Sequence, residues 1–232
     1  MAISNIPNHI AIIPDGNRRW AKEHNLPTLE GHRRGFNVAI KIGRKIRSLG
    51  VNTLTMWAFS TENWNRTKEE INYLMRMYEV FIEKNLKEAL KEKIRIIHLG
   101  RKDRIPKNLL KKIQDSEEKT KGFIEYVLNI ALDYGGRDEI IRAIKKVKSQ
   151  KSKVKSQSEE NFSQFLDTAN QPHPNPDLII RTGGEHRTSG LMIWQAAYAE
   201  YIFLNKHFPD IRDEDIEKSV EEYSRRQRRF GK

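Results

Sequence analysis

The sequence contains no cysteine among its 232 residues. This absence excludes disulfide bonds, thiol nucleophiles and cysteine-ligated metal sites. No run approaches the ~20 apolar residues that a membrane-spanning helix needs, and the first residues do not form the basic and then apolar pattern of a secretory signal. We therefore expect a cytoplasmic protein.

Two common nucleotide-binding fingerprints are also missing. Neither G-x-G-x-x-G nor G-x-x-x-x-G-K-[ST] occurs in the chain. These glycine-rich loops hold the phosphates in dinucleotide-binding folds and in P-loop enzymes. The sequence therefore argues against a nucleotide-binding Rossmann fold.

Basic residues outnumber acidic ones. The chain has 43 Lys and Arg against 31 Asp and Glu, which gives a formal net charge of +12. Such an excess favours an anionic partner. Nucleic acid, a phospholipid surface and a phosphorylated small molecule all satisfy this condition.

Apolar, β-rich runs alternate with segments of helical periodicity. The strand-like runs cover residues 9–14, 51–59, 94–99, 123–132, 178–180 and 201–204. Helical patterns begin near residues 17, 31, 67, 106, 137, 162 and 213. This alternation predicts one α/β domain over residues 1–232, with a mainly parallel central sheet of about six strands flanked by helices. The basic repeat at 147–158 is interpreted as a helix extension or solvated loop, and 213–232 as a C-terminal helix and tail.

The first apolar run ends in Pro-Asp-Gly-Asn-Arg-Arg at residues 14–19. Asp15 or Asn17 is suited to cap the helix that follows. The N-terminal amides of that helix, together with Arg19, favour an anion, so a carboxylate at the same place calls for a cation. Mg²⁺ held by Asp15 and shared with a diphosphate meets this need, because Mg²⁺ prefers one or two carboxylates with phosphate oxygens and water. The alternative is that Asp15 is only a helix cap.

A second candidate anion site follows the run 178–180. Arg181 stands at the predicted strand end, Thr-Gly-Gly follows it, and Arg187, Thr188 and Ser189 come soon after. Guanidinium groups bind phosphoryl oxygens in a bidentate manner. This segment therefore suits a phosphate or diphosphate, and the alternative is a solvated basic loop.

Polar and aromatic residues also follow the run 51–59, in Ser-Thr-Glu-Asn-Trp-Asn-Arg at 60–66. Because the carboxyl ends of parallel strands share one edge of a sheet, three such strand ends predict a single crevice at that edge. His32, at the opening of the second predicted helix, is a candidate to donate a hydrogen bond to an anion there or to cap that helix.

The helix predicted at 67–92 has two apolar faces. Thr67 and Glu70 form a capping box at its start. One stripe, which includes Leu74 and Tyr78, is suited to the core. The second face consists of Tyr73, Met77, Val80 and Phe81. A groove for a lipid chain, a dimer contact and a second core layer all remain open for this face.

Six stretches resemble, in order, those of the cis-prenyltransferases, the undecaprenyl diphosphate synthase family. They are residues 9–21, Gly31-His32, 58–66, 129–137, 177–189 and 198–200. The resemblance spans nearly the whole chain. It implies an enzyme that condenses isopentenyl diphosphate with an allylic diphosphate to form a (Z)-polyprenyl diphosphate and release diphosphate. It also implies Mg²⁺, a homodimer, cytoplasmic location with peripheral contact at the inner membrane face through the lipid product, and no nucleic-acid partner.

The resemblance also implies roles for individual residues. Asp15 matches the family's aspartate that holds Mg²⁺, and Glu200 matches a second metal-linked carboxylate that is reached across the dimer. Asn63 matches the residue assigned as proton acceptor, although a carboxamide is a weak base and Asn63 is equally suited to position a phosphate oxygen or water. The allylic substrate and its covering loop are matched by Gly16, Asn17, Arg18, Arg19, Trp20, His32, Ser60, Thr61, Glu62, Trp64 and Arg66. The isopentenyl diphosphate site is matched by Arg181, Arg187, Thr188 and Ser189.

The resemblance also bears on product length and on the rival interpretations. The face with Tyr73 and Phe81 is expected to wall an apolar product tunnel, and these bulky residues are suited to shorten it, so a short-chain synthase is an alternative. Thr28 stands where family members usually carry Arg. A nucleic-acid-binding module fits the net charge but leaves Asp15 and Glu200 unexplained. A non-catalytic partner subunit would lack Asp15 and Asn63, and both are present.

Overall fold

The structure is a computed structural model that describes residues 5–149 and 158–226. Its strands are β1 (His9–Ile13), β2 (Thr53–Ser60), β3 (Ile94–Leu99), β4 (Tyr126–Tyr134), β5 (Leu178–Arg181) and β6 (Glu200–Phe203). Its α-helices are α1 (Asn17–Glu23), α2 (Thr28–Ser48), α3 (Lys68–Lys91), α4 (Lys107–Thr120), α5 (Gly136–Ser149), α6 (Glu159–Ser163) and α7 (Asp213–Arg225). Short 3₁₀ helices cover Thr61–Asn65 and Phe208–Asp210. The predicted α/β class is confirmed.

All six strands are parallel and lie in the order β3-β4-β2-β1-β5-β6. The chain therefore starts in the middle of the sheet and adds strands first on one side and then on the other. In such sheets a crevice opens where the strand order reverses, beyond the carboxyl ends of the central strands. The register pairs Ile13 of β1 with Arg181 of β5, which brings the segments after both strands together.

The central strands are buried on both faces. Every residue of β1 and of β5 is buried, which explains their continuous rather than alternating apolar pattern. One core cluster lies between the sheet and helices α2 and α7, a second contains Phe59 with residues of α3 and α4, and a third packs residues 191–196 on the sheet. Helices α2, α3, α4 and α7 thus pack on the sheet in the first two clusters, and turn residues 191–196 pack on it in the third.

Three predicted boundaries are wrong. The fourth strand begins at Tyr126 instead of residue 123, because Phe123 still forms a turn with Thr120 at the end of α4. Helix α2 begins at Thr28 and not at Gly31; Gly31 instead allows close packing, since a Cβ there would lie 2.1 Å from the Asn17 carbonyl oxygen.

The third error concerns the helix predicted at 162–169. The structure has the short helix α6 (Glu159–Ser163), whose start is capped by Ser158. Turns follow it up to residue 170. Helix α5 extends to Ser149, as one of the two interpretations of the 147–158 repeat expects, and residues 150–157 and 227–232 lie outside the described part of the chain.

Helix α3 begins at Lys68 with Thr67 as its cap, since the Thr67 hydroxyl accepts the Glu70 amide hydrogen at 3.3 Å. The Glu70 carboxylate contacts His32 and Arg66. The Thr67 half of the predicted capping box is therefore confirmed. The Glu70 side chain contacts His32 and Arg66 instead of completing the box. No helix in the described ranges is long and apolar enough to cross a bilayer.

Candidate active site

A half-buried ion pair joins the two predicted anion sites. The Arg181 Nη2 donates to Asp15 Oδ2 at 2.8 Å, and the Arg181 side chain is only 5% exposed. Arg19 Nη2 lies 3.3 Å from the other carboxylate oxygen of Asp15. The segments after β1 and β5 therefore form one site.

Asp15 is held as a carboxylate. Burial by itself would raise its pKa, but hydrogen bonds from Arg181 and the Gly16 amide, with the charges of Arg181 and Arg19, outweigh that effect and lower the pKa below its usual value. The negative charge is thus maintained at neutral pH inside a cluster of guanidinium groups.

Asp15 does not cap helix α1, so that interpretation is wrong. The N-cap position is Gly16, which has φ of 102°, and no side chain caps the helix there. Any side chain at Gly16 would also collide with His207, since a Cβ would lie 2.4 Å from its Nδ1. Asn17 instead donates to the Pro14 carbonyl at 2.9 Å. The left-handed backbone at Gly16 therefore leaves the Asp15 carboxylate free of a capping role.

The loop after β5 supplies further donors to the site. Arg181 Nη1 donates to Ser189 Oγ at 2.8 Å and also contacts the Arg187 carbonyl. The Arg187 side chain is 60% exposed and forms an ion pair with Glu185, which also lies 3.5 Å from Arg19. Glu185 therefore pairs with both Arg187 and Arg19.

His32 lies on α2, where it faces Glu70 of α3. Its Nε2 is 3.0 Å from Glu70 Oε1, and Arg66 Nη1 contacts the same oxygen at 3.1 Å. Burial lowers the pKa of His32, although the hydrogen bond that His32 donates to Glu70 acts in the opposite direction. The lowered pKa favours the neutral imidazole, in which the carboxylate acceptor makes Nε2 the donor and leaves Nδ1 as an acceptor.

The segment after β2 is folded into the 3₁₀ helix Thr61–Asn65. Its first turn is a reciprocal cap in which the Ser60 amide donates to Asn63 Oδ1 at 3.1 Å while the Ser60 hydroxyl accepts the Asn63 amide hydrogen. Asn63 therefore has a local structural contact in addition to any role with a ligand.

A cavity of about 560 Å³ runs from this site between the sheet and helices α2 and α3. Its polar mouth contains Asp15, Asn17, His32, Ser60, Glu62, Asn63, Arg66, Arg181 and Ser189. Its walls are mainly apolar, with Phe36 and Ile40 from α2 and Tyr78 and Ile82 from α3. The predicted apolar tunnel is therefore present, and its mouth carries the charged groups.

The tunnel wall lies mostly on a different face of α3 from the face that the sequence predicted. Phe81 lines the cavity, whereas Tyr73, Met77 and Val80 do not. Val80 is 43% exposed, and burial raises the pKa of Tyr73, which also lies near the charges of Glu30 and Arg33 of α2. The prediction that Tyr73 shortens the tunnel is wrong, because the stripe assigned to the core, including Leu74 and Tyr78, supplies the wall.

A second depression adjoins the same mouth. It is lined by four cationic side chains, Arg18, Arg19, Lys22 and Arg66, by the single carboxylate of Asp15, and by His32 and Thr28. Four positive charges against one negative charge make this surface suited to an anion. Lys22 lies on the polar side of α1.

Several predicted residues point away from the cavity. The Trp20 ring is buried, stacks on His24 at 4.2 Å and lies under the Arg34 guanidinium. Trp64 donates from Nε1 to Asp133 at 2.9 Å and packs on Phe59. Neither of these rings lines the cavity, and the same is true of Thr61, Arg187 and Thr188.

Glu200 does not meet Asp15 within one chain. It begins β6, opposite Leu178, whereas Asp15 follows the end of β1 next to Arg181. The three residues from Leu178 to Arg181 separate these levels by about 10 Å along the strands. Glu200 instead pairs with Arg226 at 2.7 Å. Within one chain Glu200 is therefore separated from Asp15, and its expected role as a metal-linked carboxylate reached across a dimer stays a prediction.

Two site residues escaped the sequence analysis. Glu70 was assigned to a helix cap, and its contact with His32 was missed because His32 lies on a different helix. Lys22 lies on α1 beside the mouth, and its position after Arg18 and Arg19 by one helical turn was a usable signal, since residues three and four apart share a helix face.

Comparison with known proteins gives the same family over nearly the whole chain. A family model described as "Putative undecaprenyl diphosphate synthase" matches residues 13–231. The chain belongs to this family. An isoprenyl transferase of Aquifex aeolicus is 44% identical over 228 residues, which cover 98% of this chain and 96% of that protein.

Two further similar proteins are described together with a substrate or ligand of their own. The ditrans,polycis-undecaprenyl-diphosphate synthase of Micrococcus luteus, described as (2E,6E)-farnesyl-diphosphate specific, is 42% identical over 97% of this chain and 92% of its own length. Lavandulyl diphosphate synthase from Lavandula x intermedia, solved in complex with dimethylallyl diphosphate, has a TM-score of 0.93 and 36% identity, and covers 98% of this chain and 99% of its own. The chain is thus a prenyltransferase, and the fold and the family predicted from the sequence are confirmed.

Proposed function

We propose that this protein condenses isopentenyl diphosphate with an allylic diphosphate to form a (Z)-polyprenyl diphosphate, with release of diphosphate. The observation that carries this proposal is the Asp15–Arg181 pair at the mouth of an apolar cavity. An allylic diphosphate has the same division into a charged head and a hydrocarbon tail. The head binds at the mouth, and the tail lies between α2 and α3.

The residues present fit a Mg²⁺ ion that arrives with a diphosphate. Asp15 offers one ionised carboxylate beside cationic donors, and no group of three or more metal-ligating side chains lies together within the described ranges. Mg²⁺ is commonly held by one or two carboxylates plus substrate phosphates and water. When bound, such an ion would neutralise charge on the leaving diphosphate.

The two diphosphates occupy adjoining positions in this proposal. The allylic diphosphate lies over Gly16 and Asn17 and contacts cations from the set Arg18, Arg19, Lys22 and Arg66, with His32, whose Nε2 donates to Glu70, beside them. Isopentenyl diphosphate contacts Arg181, Ser189, Thr188 and Arg187. The direct Asp15–Arg181 contact supports this arrangement, because it brings the two groups within one site. Holding both substrates side by side is itself a large part of catalysis.

The reaction requires one carbon–oxygen bond to break and one carbon–carbon bond to form. The allylic carbon separates from its diphosphate, the double bond of isopentenyl diphosphate attacks that carbon, and a proton then leaves to create the new double bond. Charge develops on the leaving diphosphate, so the fixed guanidinium groups stabilise the transition state more than the ground state. The apolar walls exclude water from the allylic carbon.

Asn63 is a poor candidate to take that proton. A carboxamide is a weak base, and its Oδ1 already accepts the Ser60 amide hydrogen. We assign the proton to an oxygen of the departing diphosphate, with Asn63 as the residue that positions it. Ser60, Glu62, Thr61 and Trp64 shape the segment that carries Asn63.

A homodimer is part of the proposal. Ile141 and Ile144 on α5 and Ile193 are 54%, 41% and 41% exposed, which supports a partner surface on this side of the sheet. A second copy would also give Glu200 a site to approach. Peripheral association with a bilayer follows from the lipid product.

The test is an assay of the purified protein with labelled isopentenyl diphosphate, Mg²⁺ and geranyl, farnesyl or geranylgeranyl diphosphate. We expect labelled prenyl product that disappears when EDTA is added and returns with Mg²⁺. Asp15→Asn should reduce turnover at least 100-fold, on the order expected for loss of a metal-binding carboxylate, while Asp103→Asn, an exposed carboxylate paired with Arg101, should not. Salt-dependent nucleic-acid binding without any prenyl transfer would refute the proposal.

A further inference from the structure

A buried carboxylate is bound to the segment that carries Asn63. Asp133, the penultimate residue of β4, is fully buried. Its Oδ1 accepts a hydrogen bond from Trp64 Nε1 at 2.9 Å, and its Oδ2 accepts one from Arg104 Nε at 2.9 Å. Arg104 Nη2 also contacts Oδ1. Both carboxylate oxygens are therefore used, by the 3₁₀ helix Thr61–Asn65 and by the loop between β3 and α4.

The Trp64 ring is held by two further contacts. The Arg104 guanidinium lies over it at 5.5 Å from the ring centroid. Phe59, on the neighbouring strand β2, packs edge-on against it with centroids 5.2 Å apart. The hydrogen bond to Asp133 therefore completes a set of contacts that fixes the orientation of the indole.

The backbone that presents Asp133 is also fixed. Asp133 has a φ of 54°, in the left-handed region that Asp and Asn adopt more readily than most residues. Its carbonyl accepts the Arg101 amide hydrogen at 3.0 Å. Two residues later, a Cβ at Gly135 would lie 2.6 Å from Thr61 Oγ1. The end of β4 thus packs closely against the start of the 3₁₀ helix.

The 3₁₀ helix directs neighbouring side chains to different surroundings. Glu62 and Asn63 line the mouth of the cavity, whereas Trp64, Asp133 and Arg104 do not. Successive side chains of a 3₁₀ helix point about 120° apart, since one turn contains about three residues. A fixed Trp64 ring on one side of this helix therefore fixes the direction of the Asn63 side chain on another.

We propose that Asp133 is a positioning residue for the condensation, because its hydrogen bond from Trp64 holds Asn63 at the mouth of the cavity. This inference rests on the proposed function and on the role assigned there to Asn63. It also gives a role to the stretch 129–137, which resembles the family but contributed no site residue.

The simpler interpretation is that Asp133 only ties β4 to the loop after β3 through Arg104. Three substitutions separate the two roles. Trp64→Phe keeps a packed ring and removes the donor, and Asp133→Gly keeps the left-handed backbone but removes the carboxylate. Asp133→Asn tolerates the same backbone and keeps one acceptor for Trp64, but it cannot accept from both Arg104 nitrogens as well.

A second tryptophan supplies a matched control. Trp194 Nε1 donates to Ser163 Oγ at 3.0 Å, and its ring packs on Phe162 with centroids 4.6 Å apart. Trp194 does not line the cavity. Trp194→Phe therefore removes a comparable hydrogen bond away from Asn63.

The experiment measures kcat and KM for isopentenyl diphosphate with farnesyl diphosphate and Mg²⁺, on variants shown to be folded by urea unfolding. Trp64→Phe and Asp133→Gly should lower kcat by about tenfold or more, since misplacing a group in the site by about 1 Å costs up to about 100-fold. Asp133→Asn and Trp194→Phe should stay within about threefold of wild type.

A double-mutant cycle tests whether the effect passes through Asn63. In an Asn63→Ala background, Trp64→Phe should lower kcat by less than about threefold, because the side chain that it positions is already missing. Losses that multiply would overturn the inference, since a purely structural defect acts independently of Asn63.

NMR tests the contact without turnover. Trp64→Phe identifies one Nε1–H signal among the four tryptophans of ¹⁵N-labelled protein, and in Asp133→Gly that signal should move and exchange faster with water. An unchanged signal would overturn the inference. So would wild-type kcat in Trp64→Phe, or an equal loss in Asp133→Asn or Trp194→Phe, while the proposed function would stand. A wild-type protein that makes no prenyl product would overturn both.

Discussion

Replacement of Arg181 by Met tests the ion pair with Asp15 that joins the two segments of the candidate active site. Met fills a similar volume at a side chain that is 5% exposed, but it removes the contacts to Asp15 and Ser189. Breaking a well-buried ion pair costs about 3–5 kcal/mol, and because the Asp15 side chain is 31% exposed we expect about 1–3 kcal/mol of lost stability. Arg19 and the Gly16 amide remain to hold Asp15.

The expected loss of activity is larger than the loss of folded protein. A charge-assisted hydrogen bond to a phosphate contributes about 1.5–3 kcal/mol. At about 1.4 kcal/mol for each factor of ten, its removal lowers kcat/KM for isopentenyl diphosphate by about 10- to 150-fold. Arg181→Lys keeps the charge without the planar fork, so we expect an intermediate loss.

The assay measures kcat/KM at varied isopentenyl diphosphate concentration, and urea unfolding confirms that each variant is folded. Arg95→Met, at the opposite end of the sheet on β3, is the control and should retain wild-type kinetics. A folded Arg181→Met variant whose kcat/KM stays within threefold of wild type would refute the assignment of Arg181 to substrate binding.

Three other predictions follow from buried groups. Glu70→Gln removes the carboxylate that raises the pKa of His32, so that pKa should fall further in an NMR titration, and an unchanged value would contradict the contact. Burial lowers the pKa of His9 to about 4; because the unfolded chain takes up this proton near pH 6.5 and the folded chain does not, stability should decrease by roughly 3 kcal/mol as pH falls from 6.5 to 4. His9→Asn should flatten this dependence in thermal unfolding. Ile180→Ala, at a side chain with no exposed area in β5, should lower the free energy of unfolding by about 2–5 kcal/mol, and an unchanged urea midpoint would be inconsistent with that packing.

The position of the site could be predicted because its residues follow strands. Asp15 comes after β1, Asn63 after β2 and Arg181 at the end of β5, and the carboxyl ends of parallel strands meet at one edge. The direct contact between Asp15 and Arg181 could not be predicted. It requires β1 and β5 to be neighbours, and strand order depends on packing between residues that are 166 positions apart.

The helices show a second limit of sequence analysis. Helical periodicity placed Phe81 on the same face of α3 as Val80, although Phe81 lines the cavity together with Leu74 and Tyr78. Periodicity also could not say which face borders the cavity, since that depends on where α2 lies. The core stripe at Leu74 and Tyr78 therefore became the wall, while Val80 is exposed. The role of Glu70 in the site was missed for the same reason. A local capping rule explained its position, and its partner His32 belongs to another helix.

The apolar cavity has one more consequence for how such a protein turns over. Each methylene that moves from water to these walls contributes about 0.8 kcal/mol to the free energy of binding. The affinity for the growing prenyl chain therefore increases with every addition. Early intermediates then stay long enough to be extended, and the finished lipid leaves most slowly. Departure is eased by a hydrocarbon phase outside the protein, so detergent micelles or vesicles should accelerate multiple turnovers more than the first one.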